Sequence, residues 1–447
     1  MGGEGKAPFN LVPIFLAGFE SFYTSLHTLV PIVCTTGLVH KFERAPDVVI
    51  SDIFLVDVLH MVRKVSKRRV PVLSWNPANL GPLMRLIGPE ELGGIGDIRA
   101  KAVESAERTG KDYKEAEIEI FHPQKGEVVK GPGMPPMYDY EYHPNASVGG
   151  IVEIQISLHK SAFMMLHGCD GMVCASSLAF ESEACKATKE WLAKTNRPVY
   201  VVGPLLPDSV LLDGTSDLHL STNDLATIAF LDRVYETSGL HSLLYISFGT
   251  MFWPPNNLIW RVIEIILDRD IPLLLAYDEL RLGKMPEHIA KKFKTSNKVL
   301  TSAWTPQQDI LCHQATGWFL THCGQNSILE AIVQGVPLIA WPIDAEQPPN
   351  AAYITLTLSI AYELLEGRSG LGLKPMHRGI TPRGTLEALE EEVQVILDKA
   401  YGEDGKVKRE NIRILRDKMR EDLREGGQSV AELENFIRDY MDVAENS

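Results

Sequence analysis

Along most of the chain, short apolar runs alternate with longer segments in which apolar residues recur every three or four positions. Runs such as 70–73 and 243–247 contain mainly aliphatic residues, which is typical of strands covered on both faces. The longer segments have the spacing of amphipathic helices. This alternation predicts βαβ units and therefore an α/β fold built on parallel sheets.

The predicted elements follow this alternation except at residues 85–150. We predict strands at 48–50, 70–73, 172–174, 199–202, 243–247, 272–275, 299–300, 317–321 and 338–341. We predict helices at 15–30, 56–65, 99–117, 152–166, 182–193, 225–235, 387–399, 408–421 and 430–440. The irregular residues 85–150 carry enough Met, Tyr and Phe either to line a ligand pocket or to form a packed surface loop.

One strand–turn–helix unit carries the densest candidate chemistry. The predicted strand 317–321 leads into the turn 322–325, and Asn326 and Ser327 are residues that favour helix N-caps. Gly324 gives this turn free backbone N–H groups at a helix N-terminus. Such a terminus attracts anions, because its donors are unpaired and the helix dipole is positive there.

The side chains flanking this turn suit a sugar nucleotide. His322 and Ser327 can donate hydrogen bonds to phosphate oxygens, and the Glu330 carboxylate can accept from both hydroxyls of a ribose. An aromatic residue for the base and two polar residues for a sugar complete the set: Trp304, Glu346 and Gln347. Any one of these residues has an equally good reading as an ordinary surface residue, but the whole set in a βαβ context is far more specific.

Residues 304–347 resemble the 44-residue signature of the family 1 UDP-glycosyltransferases, and Ser247–Thr250 resembles the family's Ser-Phe-Gly-Ser/Thr loop. One position departs from the plant pattern, since Gln325 stands where plant enzymes usually have Trp. Over the whole chain, the sequence resembles fungal members of the family more than plant members. The resemblance implies donor-binding roles for Thr250 (phosphates), Trp304 and Gln307 (uracil), His322, Gly324, Gln325, Asn326 and Ser327 (pyrophosphate turn), Glu330 (ribose), and Glu346 and Gln347 (sugar).

The resemblance also implies a GT-B fold, in which two Rossmann-like domains with parallel sheets face a cleft. We expect an acceptor-binding domain at 1–206, a linker at 207–222 and a UDP-sugar-binding domain at 223–425. The last helix, within 426–447, is expected to cross back to the first domain. Gln347 at the end of the signature favours glucose as the sugar, transferred with inversion to a hydroxyl of a lipophilic small molecule.

The family's catalytic pair is a histidine after the first strand and an aspartate that orients it. Asp52 matches the aspartate, but no stretch before it has the histidine's context. We therefore expect an N-terminal domain that is incomplete at its start, with impaired activity; His27 and His40 are weak substitutes. The alternative is a pseudoenzyme that binds UDP-sugar without turnover.

Composition narrows the function classes further. The net charge of −14 argues against non-specific binding to nucleic acid, and no run of 18 apolar residues predicts a membrane span. Six scattered cysteines lack metal-ligand spacing, so we expect reduced thiols, no metal and a cytoplasmic location. The absence of a GxGxxG turn disfavours a nicotinamide dehydrogenase. A sugar-nucleotide epimerase remains an open alternative, because it also needs a UDP site.

Overall fold

A computed structural model describes residues 12–67, 70–146, 151–207 and 222–441, so most of the predicted linker lies outside the described residues. The N-terminal half alternates strands and helices as the sequence predicts. Its elements are α1 (Val12–His27), β1 (Ile32–Val33), β2 (Val39–His40), β3 (Val49–Asp52), α2 (Val56–Ser66), β4 (Val72–Asn76), α3 (Leu80–Ile87), α4 (Ile98–Thr109), α5 (Tyr113–Phe121), β5 (Val128–Val129), β6 (Met137–Tyr138), α6 (Ile151–Gly168), β7 (Gly171–Cys174), α7 (Leu178–Ala193) and β8 (Val199–Val201).

The main N-terminal sheet is parallel, with strand order β3-β4-β7-β8. Its central strands, β4 and β7, are buried apart from the partly exposed Trp75, as parallel strands with helices on both faces require. Within the described residues β3 is the outer strand, and its Ile50 is 45% exposed. Asp52 lies at the carboxyl end of this strand, the edge at which open α/β sheets bind ligands.

The predicted single helix at 99–117 is wrong, because the chain forms α4 and α5 instead. Gly110, at φ +73°, ends α4 in the left-handed conformation that glycine adopts without a Cβ penalty. Asp112 then begins α5 by accepting a hydrogen bond from the backbone N–H of Lys114 at 2.8 Å. Ile98 and Phe121 pack with Ile156 of α6, so residues 85–146 cover the ligand edge of the sheet.

The C-terminal half continues the βα alternation. Its elements are α8 (Thr222–Ser238), β9 (Leu243–Ser247), α9 (Asn256–Asp268), β10 (Leu273–Ala276), α10 (Glu279–Leu282), α11 (Glu287–Thr295), β11 (Val299–Ser302), α12 (Gln307–Cys312), β12 (Thr316–Thr321), α13 (Gln325–Gln334), β13 (Leu338–Ala340), α14 (Gln347–Ala352), β14 (Ala361–Glu363), α15 (Leu386–Ala400), α16 (Glu403–Asp422) and α17 (Gln428–Tyr440).

The second sheet is parallel in the order β11-β10-β9-β12-β13-β14. Its two central strands, β9 and β12, pair so that Ser247 lies opposite Thr321. The loops that follow these two residues therefore emerge side by side at the carboxyl edge. This register brings the two glycine-containing turns of the sequence together.

Helix α17 packs on the N-terminal sheet rather than on the domain that precedes it. Phe436 contacts Tyr200 and Val202 of the N-terminal half. Glu432 accepts from Lys189 Nζ at 2.6 Å, and Asp439 accepts from the Tyr200 hydroxyl at 2.6 Å. The chain therefore passes from the first half to the second and back again.

Candidate donor site and adjoining cavities

The turn 322–324 joins the buried strand β12 to α13, as the sequence predicts. The predicted caps are wrong, however: Gly324 is the N-cap, and Asn326 and Ser327 are the second and third helical residues. Gly324 is extended (φ −64°, ψ 148°) and makes no side-chain cap, so the backbone N–H groups of the first turn face the cleft without a capping hydroxyl. Asn326 is exposed and Ser327 is buried.

The His322 ring lies between the two glycine turns. A Cβ atom on Gly249 would be 3.0 Å from His322 Cε1, and one on Gly324 would be 2.6 Å from His322 Nε2. The His322 imidazole fits between these turns because neither glycine has a Cβ atom. Thr321 Oγ1 lies 3.2 Å from His322 Nδ1. Burial lowers the pKa of His322 to about 4, so its ring is neutral at pH 7 and keeps one N–H donor.

The first amide of α13 already has a carboxylate partner. The Gln325 backbone N–H donates to the Glu346 carboxylate, which lies at the same helix N-terminus. This bond favours the charged form, although burial raises the pKa of Glu346. The Gln325 side-chain amide is buried, and neither of its polar atoms has a hydrogen-bond partner in the described part of the chain. Glu346 and Gln325 are thus brought together, and the anion-binding end of the helix extends to residues 326 and 327.

Glu330 and Gln307 form the centre of a polar network that also includes Tyr245 and Ser327. Gln307 Nε2 donates to Glu330 Oε2 at 2.5 Å, and Gln307 Oε1 accepts from the Tyr245 hydroxyl at 3.1 Å. Burial raises the pKa of Glu330, and hydrogen bonds from Gln307 and Gln308 oppose that shift. The network holds the Glu330 carboxylate one helical turn from Asn326.

The remaining predicted donor residues lie around the same edge of the sheet. Trp304 follows β11 and is 75% exposed, so an indole face is available to a base. Thr250 follows Gly249, directly after β9. Gln347 is buried, and its Oε1 accepts from the backbone N–H groups of Ile343 (2.9 Å) and Asp344 (3.2 Å). Its NH₂ group is therefore the part that can contact a sugar hydroxyl.

Asp52 faces a different environment from the one that the family resemblance implies. Its Oδ1 accepts from the Phe54 backbone N–H at 2.9 Å, which closes its own turn. His27 ends α1 and stacks on Tyr23, and His40 is exposed on β2. Neither histidine lines the cavities beside the donor turn, so the structure does not bring them together with the donor residues.

A largely apolar cavity of about 180 Å³ lies between the sheet edges. Its apolar end is formed by Ile53, Leu83, Leu86, Ile95, Phe121 and Leu158. Asp344 and Glu346 line the opposite end, next to the donor turn. A second cavity, of about 360 Å³, adjoins it and shares His143, Gln155 and Asp344. Several residues of 85–146 therefore line these cavities, and the ligand-pocket alternative that the sequence left open stays a prediction.

Sequence reasoning missed two polar pairs at this cleft. Asn79 and Asn350 are hydrogen-bonded and buried beneath the donor turn, and the tilted rings of His122 and His143 have centroids 3.8 Å apart beside the second cavity. The available signal for the histidines was a pair of His-Pro dipeptides, at 122–123 and 143–144, within the segment that interrupts the βα alternation. The asparagines left no local signal.

Two searches of the described residues gave negative results. None of the helices in the described ranges is both long and apolar enough to cross a bilayer. In the same ranges, no three or more His, Cys, Asp or Glu side chains converge in a way that could hold a metal ion.

Comparison with known sequences gives one family and related enzymes. The family described as "UDP-glucoronosyl and UDP-glucosyl transferase" matches residues 177–364. The UDP-glycosyltransferase eriJ of Hericium erinaceus is 28% identical over 418 residues, covering 90% of this chain and 80% of that protein. The hydroquinone glucosyltransferase of Rauvolfia serpentina is 31% identical over 53% of this chain. The match spans 48% of that protein, about half its length.

Solved structures share the fold at lower identity. UGT2 of Phytolacca americana, complexed with UDP-2-fluoro-glucose and pterostilbene, superposes with a TM-score of 0.66 at 22% identity, covering 95% of this chain and 80% of that one. A UGT transferase from Siraitia grosvenorii in complex with UDP gives 0.68 at 19% identity, with coverages of 98% and 88%. The two-domain architecture of this chain is therefore that of the GT-B fold.

Proposed function

We propose that this chain, a family 1 UDP-glycosyltransferase, transfers a hexose from a UDP-sugar. The proposed acceptor is a hydroxyl of a lipophilic small molecule. One observation carries the proposal. The donor turn with Glu330 and Trp304 opens onto the same cleft as the apolar cavity, and Asp344 and Glu346 lie where the two meet.

In the proposed donor complex the pyrophosphate lies at the N-terminus of α13. His322, Thr250 and the amides near Asn326 and Ser327 donate to its oxygens, which is the arrangement that a helix terminus favours. Because these donors and the positive end of the helix dipole together stabilise the negative charge, we propose that no metal ion is needed. Trp304 stacks on the uracil, Gln307 lies near the uracil edge, and Glu330 accepts from the ribose hydroxyls.

The sugar lies against the loop that carries Glu346 and Gln347. The backbone N–H of Gln325 donates to the Glu346 carboxylate and so holds it in place as an acceptor for sugar hydroxyls. Glucose is the proposed sugar, on the basis of Gln347. The orienting role of Asp52 remains a prediction, because the structure shows it bonded to its own turn.

The acceptor is proposed to occupy the apolar cavity with its hydroxyl directed towards Asp344 and Glu346. The relatives include enzymes whose names or complexes contain hydroquinone and pterostilbene. An aromatic compound with one exposed hydroxyl fits a cavity whose far end is aliphatic and whose near end is acidic. We propose a cytoplasmic location, where UDP-sugars are present, in line with the helix search above.

The test combines calorimetric titration of UDP-glucose with a transfer assay on a panel of phenols and sterols. Binding together with product formation supports the proposed function. Binding without any product would instead support a donor-binding protein without turnover. Absence of UDP-glucose binding would overturn the donor site.

A further inference from the structure

The apolar cavity beside the donor turn contains a fixed positive charge. Arg85 of α3 lines it next to Leu86 and Ile95, and among the described residues no other lysine or arginine does so. The Arg85 side chain is partly buried, and burial lowers the pKa of its guanidinium. An arginine nevertheless keeps its proton at pH 7, because its ordinary pKa lies far above that value. The cavity therefore combines an apolar wall with a cation.

The charge of Arg85 is not neutralised by direct contact. Asp139 and Glu127 favour its charged form through space, but no carboxylate in the described ranges forms an ion pair with it. The Asp139 oxygens accept instead from the backbone N–H groups of Lys125 and Gly126, both at 3.0 Å, and Glu127 pairs with Lys125 Nζ at 3.8 Å. A guanidinium removed from water without a counter-charge in contact is costly, so an anionic ligand is favoured beside it.

The guanidinium is held in place with one edge left for a ligand. Its Nη1 donates to the backbone oxygen of Gly93 at 3.3 Å, and its central carbon lies 4.9 Å from the centre of the Tyr142 ring. Its Nε and Nη2 have no hydrogen-bond partner among the described residues, and both retain accessible surface. These two nitrogens lie on the same edge of the planar group, where they can donate to both oxygens of one carboxylate.

The two histidines of this cavity add no positive charge at pH 7. Burial lowers the pKa of His143 to about 3 and that of His159 to about 4. The charge of Arg85 also opposes protonation of both rings, so the guanidinium acts on both sides of the cavity. Among the described lining residues, Arg85 is therefore the group that can neutralise an anion.

Charge and size together restrict what the cavity can bind. Asp344 and Glu346 line its other end, so a carboxylate in the cavity is repelled from the donor turn and attracted to Arg85. The cavity measures about 180 Å³. A protein cavity of about 150 Å³ holds one benzene molecule, whereas pockets for drug-sized ligands measure about 300–1,000 Å³. The ligand that fits is one aromatic ring with short substituents.

We propose that the acceptor is a single-ring hydroxy acid, with its carboxylate bound by Arg85 and its hydroxyl facing Asp344 and Glu346. This inference rests on the proposed function and narrows it to one class of acceptor. The hydroxyl oxygen forms the bond to the anomeric carbon and loses its proton. The bond from that carbon to the β-phosphate oxygen breaks, and its electron pair leaves with UDP. The carboxylate of the acceptor is unchanged by the transfer.

The first test compares 4-hydroxybenzoate with 4-hydroxybenzamide, which has nearly the same shape but no charge. In the full chain we expect kcat/KM to be about 10- to 150-fold higher for the acid, the range for hydrogen bonds to charged groups. Arg85→Gln should remove this preference by lowering kcat/KM for the acid, with a change of less than about threefold for the amide. Arg85→Lys, which keeps the charge but loses the two-nitrogen edge, should retain part of the preference. Arg108→Gln, at an exposed arginine in the last turn of α4, is the matched control and should retain all of it.

The second test measures binding without transfer. The probe is 4-methoxybenzoate, which has no hydroxyl to accept a sugar, titrated by calorimetry into protein saturated with UDP. We expect the unaltered protein to bind it and Arg85→Gln to lose this binding, with equal affinities for UDP and equal melting temperatures. Equal binding of the probe to both proteins would overturn the inference.

The comparison of acid and amide in the unaltered protein needs no variant, so it decides the inference even if Arg85→Gln does not fold. Equal kcat/KM for the two acceptors would overturn the inference and leave the proposed function intact. Binding of UDP-glucose without transfer to any acceptor of the wider panel would instead overturn the proposed function.

Discussion

The side-chain amides of Asn79 and Asn350 meet across the two domains, with Asn79 Nδ2 donating to Asn350 Oδ1 at 2.6 Å. Asn350 Nδ2 in turn donates to the backbone oxygen of Cys323 at 3.0 Å, within the donor turn. Both asparagines are buried. Cys323 has a left-handed backbone (φ +68°), a conformation that costs a non-glycine residue energy and so depends on its surroundings. The pair therefore supports the donor turn from the N-terminal domain.

We expect Asn350→Ala to lower both the free energy of unfolding and the affinity for UDP. Loss of the amide leaves Asn79 Nδ2 and Cys323 O buried without these partners, at about 1–3 kcal/mol for each group. Chemical denaturation measures the stability and calorimetry measures the affinity for UDP. Asn411→Ala is the control, because it removes a similar bond to Ser359 O far from the turn. Equal UDP affinities for the two variants would contradict a role of Asn350 in supporting the turn.

The proposed ribose contact predicts a difference between two nucleotides. Glu330→Ala should weaken UDP binding by about 1.5–3 kcal/mol, the range for hydrogen bonds to charged groups. It should have little effect on 2′,3′-dideoxy-UDP, which lacks the hydroxyls. Titration of both nucleotides into both proteins gives the comparison. An equal loss for the two nucleotides would mean that Glu330 acts through Gln307 rather than on the ribose.

Trp304 should contribute to binding but not to folding. Its side chain is 75% exposed, so Trp304→Ala should leave the melting temperature unchanged within about 1 °C. Loss of base stacking should weaken UDP binding by about 1–3 kcal/mol. Trp304→Phe is the matched control and should retain most of the affinity. If Trp304→Ala bound UDP with unchanged affinity, the prediction that the Trp304 indole belongs to the donor site would be wrong.

Glu181 predicts a pH dependence of stability. Its carboxylate is buried and accepts from the N–H groups of Leu80 (2.8 Å) and Gly81 (3.0 Å), and burial raises its pKa to about 7. The folded state therefore binds this proton more tightly than the unfolded state. The resulting stabilisation is complete below about pH 4.5 and is lost as the pH rises to about 7, a decrease of roughly 3 kcal/mol.

Denaturation of the unaltered protein and of Glu181→Gln at several pH values isolates this contribution. The difference between their unfolding free energies should change between pH 4.5 and 7 and be constant above that window. A difference that does not change with pH would show that Glu181 titrates normally.

The ion cluster around Glu363 should contribute strongly to the free energy of unfolding. Its carboxylate accepts from Arg368 Nη2 at 2.6 Å and from Arg378 Nη2 at 2.8 Å, and the Arg368 side chain is 3% exposed. Glu363→Gln leaves a buried guanidinium without a counter-charge, which should cost about 3–5 kcal/mol. Glu391→Gln, which loses the exposed pair with Arg383, is the control and should cost under 1 kcal/mol. Similar midpoints in urea for both variants would contradict this expectation.

The sequence predicted those structural features that depend on residues close together in the chain. The βα alternation gave the parallel sheets, and the run from β12 into α13 gave the donor turn, because these features lie within a few residues of one another. The single helix predicted at 99–117 was wrong, because charged helix formers on both sides hid the break at Gly110.

Contacts between distant residues left no sequence pattern. Asn79 and Asn350 are 271 residues apart, and Gln155 and Asp344 are 189 apart, so only the folded chain brings each pair together. The carboxylate of Glu346 at the N-terminus of α13 was missed for the same reason. The boundaries at 206, 222 and 425 and the roles of the individual donor residues remain predictions.

Because α17 packs on the N-terminal sheet, the chain crosses between the domains twice, once between β8 and α8 and once at 423–427. Two covalent connections restrain the relative motion of the domains more than one does, because rotation about either connection is limited by the other. If the cleft widens to exchange substrates, α17 must move with the N-terminal sheet, so the motion is limited to what residues 423–427 allow. Cutting the peptide between 423 and 427 would release that restraint while leaving every residue of the nucleotide site in place.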